Sequence, residues 1–330
     1  MINKLDNRVW YGKYGGCFIA DAFSDYCDEY YEKYQKAVND PSFVQEFHSL
    51  KKTFAPTSLL LKKTETILTV HVSENFDSII GTALLAKKLG YESAVCGVRY
   101  SDEAILIAKL CNFLKLRVLM ILGDAVSHDE ALCETLKLSN IEIDSNTCSI
   151  LFDLPEMYAF QMWVASPHKY CIINCRSNAG AYPQTNISSD FSSDYGNDFK
   201  AAVPNSVKRI VIPCVTGSFA LSIARAFEQT DTLIETVECD SAENMKEELD
   251  SYCGTFTKVM RNRKQDRILC PALSDLFDQG KVLRTIVPSS EVEIVDPSLS
   301  LQSNATLYVL KDGSEDSLCV LRNLRSGSTI

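Results

Sequence analysis

Asp77-Ser-Ile-Ile-Gly-Thr-Ala-Leu-Leu-Ala-Lys-Lys-Leu-Gly90 is the stretch on which the reading of this chain turns. Ile79, Ile80, Ala83, Leu84, Ala86 and Leu89 recur at helical spacing and predict a helix with one broad apolar face. Asp77 or Ser78 suits the N-cap, and Gly90 stands where a helix end wants a positive φ. The strand-like run Thr66–Val72 precedes it and Ser93–Val98 follows it. Together they predict a strand–helix–strand unit, the building block of a parallel α/β sheet.

Length and composition bound the rest. A chain of 330 residues is long for one hydrophobic core, so two lobes are expected. Hydrophobic content of 46% with 23% charged residues belongs to an ordinary globular protein. A net charge of −10 argues against a nucleic-acid footprint. Nowhere do the apolar residues run long enough to cross a bilayer, and the opening residues carry no apolar signal core. No nucleic acid and no membrane are therefore expected as partners. The 13 cysteines are scattered, several of them inside apolar strand-like runs, with no Cys-x-x-Cys pair. Free, buried thiols of that kind favour a reducing, cytoplasmic location. The four histidines (48, 71, 128, 168) have no ligand spacing, and no metal is expected.

The same helix carries a resemblance. It is similar to the helix that follows the cofactor lysine in the tryptophan synthase beta subunit family, pyridoxal phosphate (PLP) enzymes of fold type II. There a His-Lys-Thr-Asn motif runs into Gln-Ala-Leu-Leu-Ala-Lys-Arg-Met-Gly. Here the four motif positions are Glu74, Asn75, Phe76 and Asp77, so the lysine position holds Asn75, which has no amine for a Schiff base. The opening Tyr11-Gly-Lys-Tyr-Gly-Gly-Cys-Phe18 resembles the family's Phe-Gly-Glu-Phe-Gly-Gly-Met-Tyr, and Asn39-Asp-Pro-Ser-Phe43 its Lys-Asp-Pro-Glu-Phe.

The resemblance implies a two-lobed α/β fold with mostly parallel twisted sheets flanked by helices. It places an N-terminal lobe at 1–198, including a mobile-subdomain-like region near 101–165, and a C-terminal lobe at 199–330. The segment at about 53–72 is allowed to cross to the other lobe. Ser188 to Phe199, polar and rich in Asp and Ser, reads as a lobe boundary or a poorly packed helix.

The resemblance also locates three places where the family's chemistry is altered. Beside Asn75, the family's Glu-Thr-Gly-Ala-Gly-Gln-His turn corresponds to Gly97 through Glu103, so its reactive glutamate becomes Gly97. Asp102 and Glu103 in that turn would repel a substrate carboxylate. The family's phosphate-cradling Gly-Gly-Gly-Ser turn is reduced to Thr216-Gly217-Ser218, a vestigial anion turn at most.

The expected function is therefore that of a pseudoenzyme, a regulatory or structural partner with no catalytic residues and no cofactor. One alternative is an enzyme with PLP-independent chemistry in a remodelled cleft, drawing on carboxylates such as Glu74, Asp77, Asp102 and Glu103. The other is residual PLP-dependent lyase or synthase activity through Lys87 or Lys88, with PLP as cofactor. A protein partner or a homodimer is expected, with a tryptophan synthase alpha-like subunit as one possibility. Tyr11, Tyr14 and Phe18 are the interface candidates, since aromatics anchor interfaces.

Overall fold

The structure is a computed structural model. It describes residues 10–11, 14–15, 21–56, 59–63, 67–73, 76–98, 101–137, 141–144, 155–173, 183–205, 207–213, 218–240, 261–262, 267–268, 271–288 and 304–310. The chain divides into two compact units. The first takes residues 1–10, 15–56 and 75–192; the second takes 11–14, 57–74 and 193–330. Both are α/β, the first built on a parallel sheet and the second on a mixed one.

After two short strands, β1 (Trp10–Tyr11) and β2 (Tyr14–Gly15), the first unit opens on helix α1 (Asp21–Val38). Phe23, Cys27, Tyr30, Tyr31 and Tyr34 recur along one stripe of α1, and all are buried. Helix α2 (Pro41–Phe54) starts where Asp40 accepts from the Ser42 amide and Pro41 supplies a fixed φ. The Ser42 backbone and hydroxyl hold the Asp40 carboxyl below its usual range.

Strands β3 (Leu59–Lys63) and β4 (Ile67–Ser73) belong to the second unit. Helix α3 (Asp77–Lys88) returns to the first unit, buried on every residue from Asp77 to Ala86. It begins at Phe76 with no side-chain cap, not at a capping Asp77 or Ser78. It ends as its glycine requires: Gly90 has φ +81° and its amide reaches the Lys87 carbonyl.

Next come β5 (Ser93–Val98), α4 (Ser101–Leu114), β6 (Arg117–Leu122), the single turn α5 (Asp124–Ser127), α6 (Glu130–Lys137), β7 (Ile141–Asp144), α7 (Pro155–Ala165) and β8 (Tyr170–Ile172). Their strands form a four-stranded parallel sheet in the order β7-β6-β5-β8. Five of six residues in β5 and in β6 are buried, as a sheet covered on both faces demands. Trp163 of α7 is wholly buried among Phe23, Tyr26, Tyr30 and Phe160. Its Nε1 has no hydrogen-bond partner among the described residues.

Helix α8 (Gln184–Ala202) is one continuous helix in which Ser188, Ser189, Phe191, Ser192, Tyr195 and Phe199 are buried. It is well packed rather than poorly packed, while the other reading of this stretch, a lobe boundary, agrees with the division of the units between Ser192 and Ser193. Phe191 lies against Tyr34, Phe43 and Phe47, over Gly81 of α3, where a Cβ would collide with the ring. Further along, Gly196 meets the Ser222 carbonyl so closely that a Cβ has no room.

The second unit adds β9 (Arg209–Pro213), α9 (Ser218–Phe227), β10 (Leu233–Asp240), the two-residue strands β11 (Arg261–Asn262) and β12 (Arg267–Ile268), α10 (Pro271–Asp278), β13 (Val282–Pro288) and β14 (Asn304–Leu310). Its sheet runs β13-β10-β9-β14-β4-β3. The first three strands are parallel, and β14 pairs antiparallel with both β9 and β4.

One expectation is corrected here. β4, α3 and β5 do not form a strand–helix–strand unit of a single sheet, because β4 joins the six-stranded sheet and β5 the four-stranded one. Periodicity identifies elements but carries no information on which sheet a strand enters. No helix among the described residues is long and apolar enough to cross a membrane.

Candidate functional site

The carboxyl edge of the four-stranded sheet is where an open α/β sheet carries its chemistry. Gly97 lies near that edge, inside β5 rather than in a turn. The backbone that begins α7 lies directly against it. A Cβ built on Gly97 would fall inside the contact shell of the Pro155 carbonyl and the Glu156 amide nitrogen. Only glycine fits, and no side chain of any kind, let alone a glutamate, can project from this position.

The carboxylates flagged in the sequence have separate fates. Asp77 is buried and its Oδ2 receives the Lys51 ammonium at 3.0 Å. Asp102 is exposed in the first turn of α4, whereas Glu103 beside it is buried. Asn75 and Glu74 lie outside the described residues, as do Phe18, Thr216 and Gly217. Ser218 is the first residue of α9, and its side chain too lies outside them. Tyr11 and Tyr14 are half-buried, and Tyr11 packs against the apolar core of the second unit.

Lys51 is the residue that sequence reasoning passed over. Its side chain is 7% exposed and that of Asp77 2%, so the pair is enclosed. The signal was present: Phe43, Phe47 and Lys51 recur every four residues, which places the lysine on the apolar face of α2. The pair joins the last turn of α2 to the first turn of α3. Each charge thus sits at the helix end whose dipole favours it.

Lys87 and Lys88, by contrast, are exposed in the last turn of α3, and Lys88 pairs with Glu46 at 2.8 Å. Lys87 stands about 15 Å along the helix from Asp77, at ~1.5 Å per residue.

The second unit has its own enclosed pair. Arg209 at the start of β9 places Nε and Nη2 at 3.0 and 2.6 Å from Glu235 Oε2 on β10. No group of three or more His, Cys, Asp or Glu among the described residues is placed to hold a metal ion.

Asn75 carries no amine, and the packing of Pro155 on Gly97 leaves no space for a side chain there.

No family model matches the chain. It is similar in sequence to the tryptophan synthase beta chain of Polaromonas sp. strain JS666, 24% identical over 241 residues, covering 65% of this chain and 53% of the relative. The chain thus spans about half the length of that relative. Among solved structures, it is similar to the threonine deaminase of T.th., with a TM-score of 0.47, 13% identity, and coverage of 75% of this chain and 83% of the other. It is also similar to a fungal L-serine ammonia-lyase from Rhizomucor miehei, with a TM-score of 0.43, 9% identity, and coverage of 65% and 66%.

Proposed function

We propose that this chain is a relative of the tryptophan synthase beta chain that no longer performs PLP catalysis and works by binding another protein. The observation that carries the reading is the contact between Gly97 and the start of α7. Backbone occupies the space that any side chain at Gly97 would need, and the sequence resemblance puts the family's reactive glutamate at this position. The asparagine at position 75 supports it independently, since the two positions lie in different segments. The enclosed Lys51–Asp77 pair adds a third support: this buried lysine is engaged by a carboxylate rather than presented to a cofactor. The thiols of Cys27, Cys96, Cys111 and Cys171, all buried, suit a reducing compartment, which we take to be the cytoplasm.

The partner is proposed to be a second copy of the chain or a subunit of the tryptophan synthase alpha kind, engaged in part by the N-terminal aromatic segment. Purified protein given PLP, L-serine and indole should consume no serine above a boiled control. The same protein, tagged and recovered from its native cell, should bring down a stoichiometric partner or run as a dimer. Serine turnover abolished by Lys51→Arg would overturn the loss of catalysis. A strictly monomeric, partner-free protein would overturn the binding role.

A further inference from the structure

The two edges of the four-stranded sheet differ. At the carboxyl edge α7 closes over Gly97, whereas the amino edge is open. Ser93, the first residue of β5, pairs with Arg117 of β6 on one side and Tyr170 of β8 on the other, and Ile141 begins β7. Three strands therefore start in one row, with β7 starting one residue later opposite Val118, and a cleft of about 400 Å³ lies along this edge. That volume is within the range of small-molecule sites, about 300–1,000 Å³. Val118, Leu119, Ile141 and Tyr170 form an apolar floor, and Arg117 and Lys169 stand on the rim on either side of Ser93.

We propose that this amino-edge cleft binds a small organic carboxylate with an apolar body. The carboxylate would lie on Arg117 and Lys169 and the apolar body on the floor. Both cations are available for it. Arg117 Nη2 touches Glu92 at 3.2 Å, but the two side chains are 70% and 85% exposed, and pairs of that kind contribute little. The Lys169 ammonium rests over the Tyr170 ring, 4.5 Å from its centroid, a position a ligand anion can share. A guanidinium takes a carboxylate through two parallel hydrogen bonds, which an exposed glutamate at one nitrogen does not match. Glu142 also lines the cleft, and with Glu92 it sets the opposing charge. The proposal does not depend on the loss of catalysis, since the two edges of the sheet are separate.

The test uses the full chain and 3-phenylpropionate as probe, with 3-phenylpropionamide as its uncharged twin, followed by calorimetry or by NMR shifts of the probe. Binding in the millimolar range or tighter is expected for the acid, and binding at least ten-fold weaker for the amide. Arg117→Gln and Lys169→Gln should each weaken the acid several-fold and together abolish it. Glu92→Gln should tighten it about two- to three-fold by removing a competing carboxylate. All three side chains are exposed, so melting temperature serves as the folding control. No saturable binding of the acid, or binding unchanged in the double variant with its melting temperature intact, would overturn the proposal. Equal binding of acid and amide would overturn the carboxylate assignment.

Discussion

Lys51 Nζ and Asp77 Oδ2 meet at 3.0 Å in the interior of the first unit, joining the end of one helix to the beginning of another. Removing one partner from an enclosed pair strands the other charge, which costs more than the pair itself contributes. Asp77→Asn and Lys51→Met should each destabilise the fold by about 3–5 kcal/mol. The double change Lys51→Met/Asp77→Leu should recover most of that loss. Guanidinium unfolding with an unchanged m-value measures it. Single variants that cost nothing would show the pair to be solvated.

Gly97 should be irreplaceable for a steric reason. Gly97→Ala forces the start of α7 off β5, and overpacking of this kind costs about 1–3 kcal/mol or more. Gly90→Ala is the informative control, because its φ of +81° is strained for alanine while no atom lies near the added Cβ. It should cost about 1–2 kcal/mol and leave the packing untouched. Equal losses at both positions by urea unfolding, with native-like α7 contacts in Gly97→Ala, would contradict the packing argument.

Gly81 and Phe191 are coupled through a ring rather than through backbone. Gly81→Ala alone should destabilise by about 1–3 kcal/mol, and adding Phe191→Leu should return part of it by freeing space. Additive losses in the double-mutant cycle would contradict the contact.

Alkaline pH should unfold the chain through its tyrosines. Burial, the largest cause, raises the Tyr26, Tyr30 and Tyr91 phenols above their ordinary 10.0. For Tyr26 the Tyr91 hydroxyl, 2.6 Å away, adds to the effect. With folded values above the unfolded one, this stability is complete below about pH 10 and declines as pH rises beyond it. Phenolate absorbance should therefore appear together with loss of the fold. Early titration of Tyr30 in the folded protein would contradict its burial.

The thiols provide a related readout. Burial pushes the Cys171 thiol up to about 12. At mildly alkaline pH it stays protonated and unreactive. Among the described cysteines, the half-buried Cys133 should alkylate first, with Cys27, Cys96, Cys111 and Cys171 protected until unfolding. Rapid native labelling of Cys171 would contradict the structure.

The elements of the first unit were legible where a single physical pattern governs them. The stripe Phe23, Cys27, Tyr30 and Tyr34 announces α1, and the continuous apolar run of β5 announces a covered parallel strand. Sheet membership was not legible. β4 looks like a partner for β5 but pairs with the neighbouring β3 and with β14, whose residues lie more than 200 positions away. In helix α8 the boundary between units was legible but the packing was not, because serine is polar in composition yet small enough to bury, and burial depends on what Phe191 meets. At the candidate site, Asn75 and Gly97 could be flagged from sequence, but the closure over Gly97 comes from Pro155, a contact that no local pattern encodes. Lys51 was hidden by the habit of reading lysine as surface.

The central claim, that the chain no longer holds PLP through a lysine, is tested most directly by incubating the purified protein with excess PLP, reducing with borohydride and mapping any lysine adduct by mass. The account predicts only scattered, substoichiometric labelling of exposed lysines such as Lys87 and Lys88, unchanged in Asn75→Lys because Gly97 remains closed. One adduct per chain at a single lysine, above all at Lys51 and lost in Lys51→Arg, would contradict it.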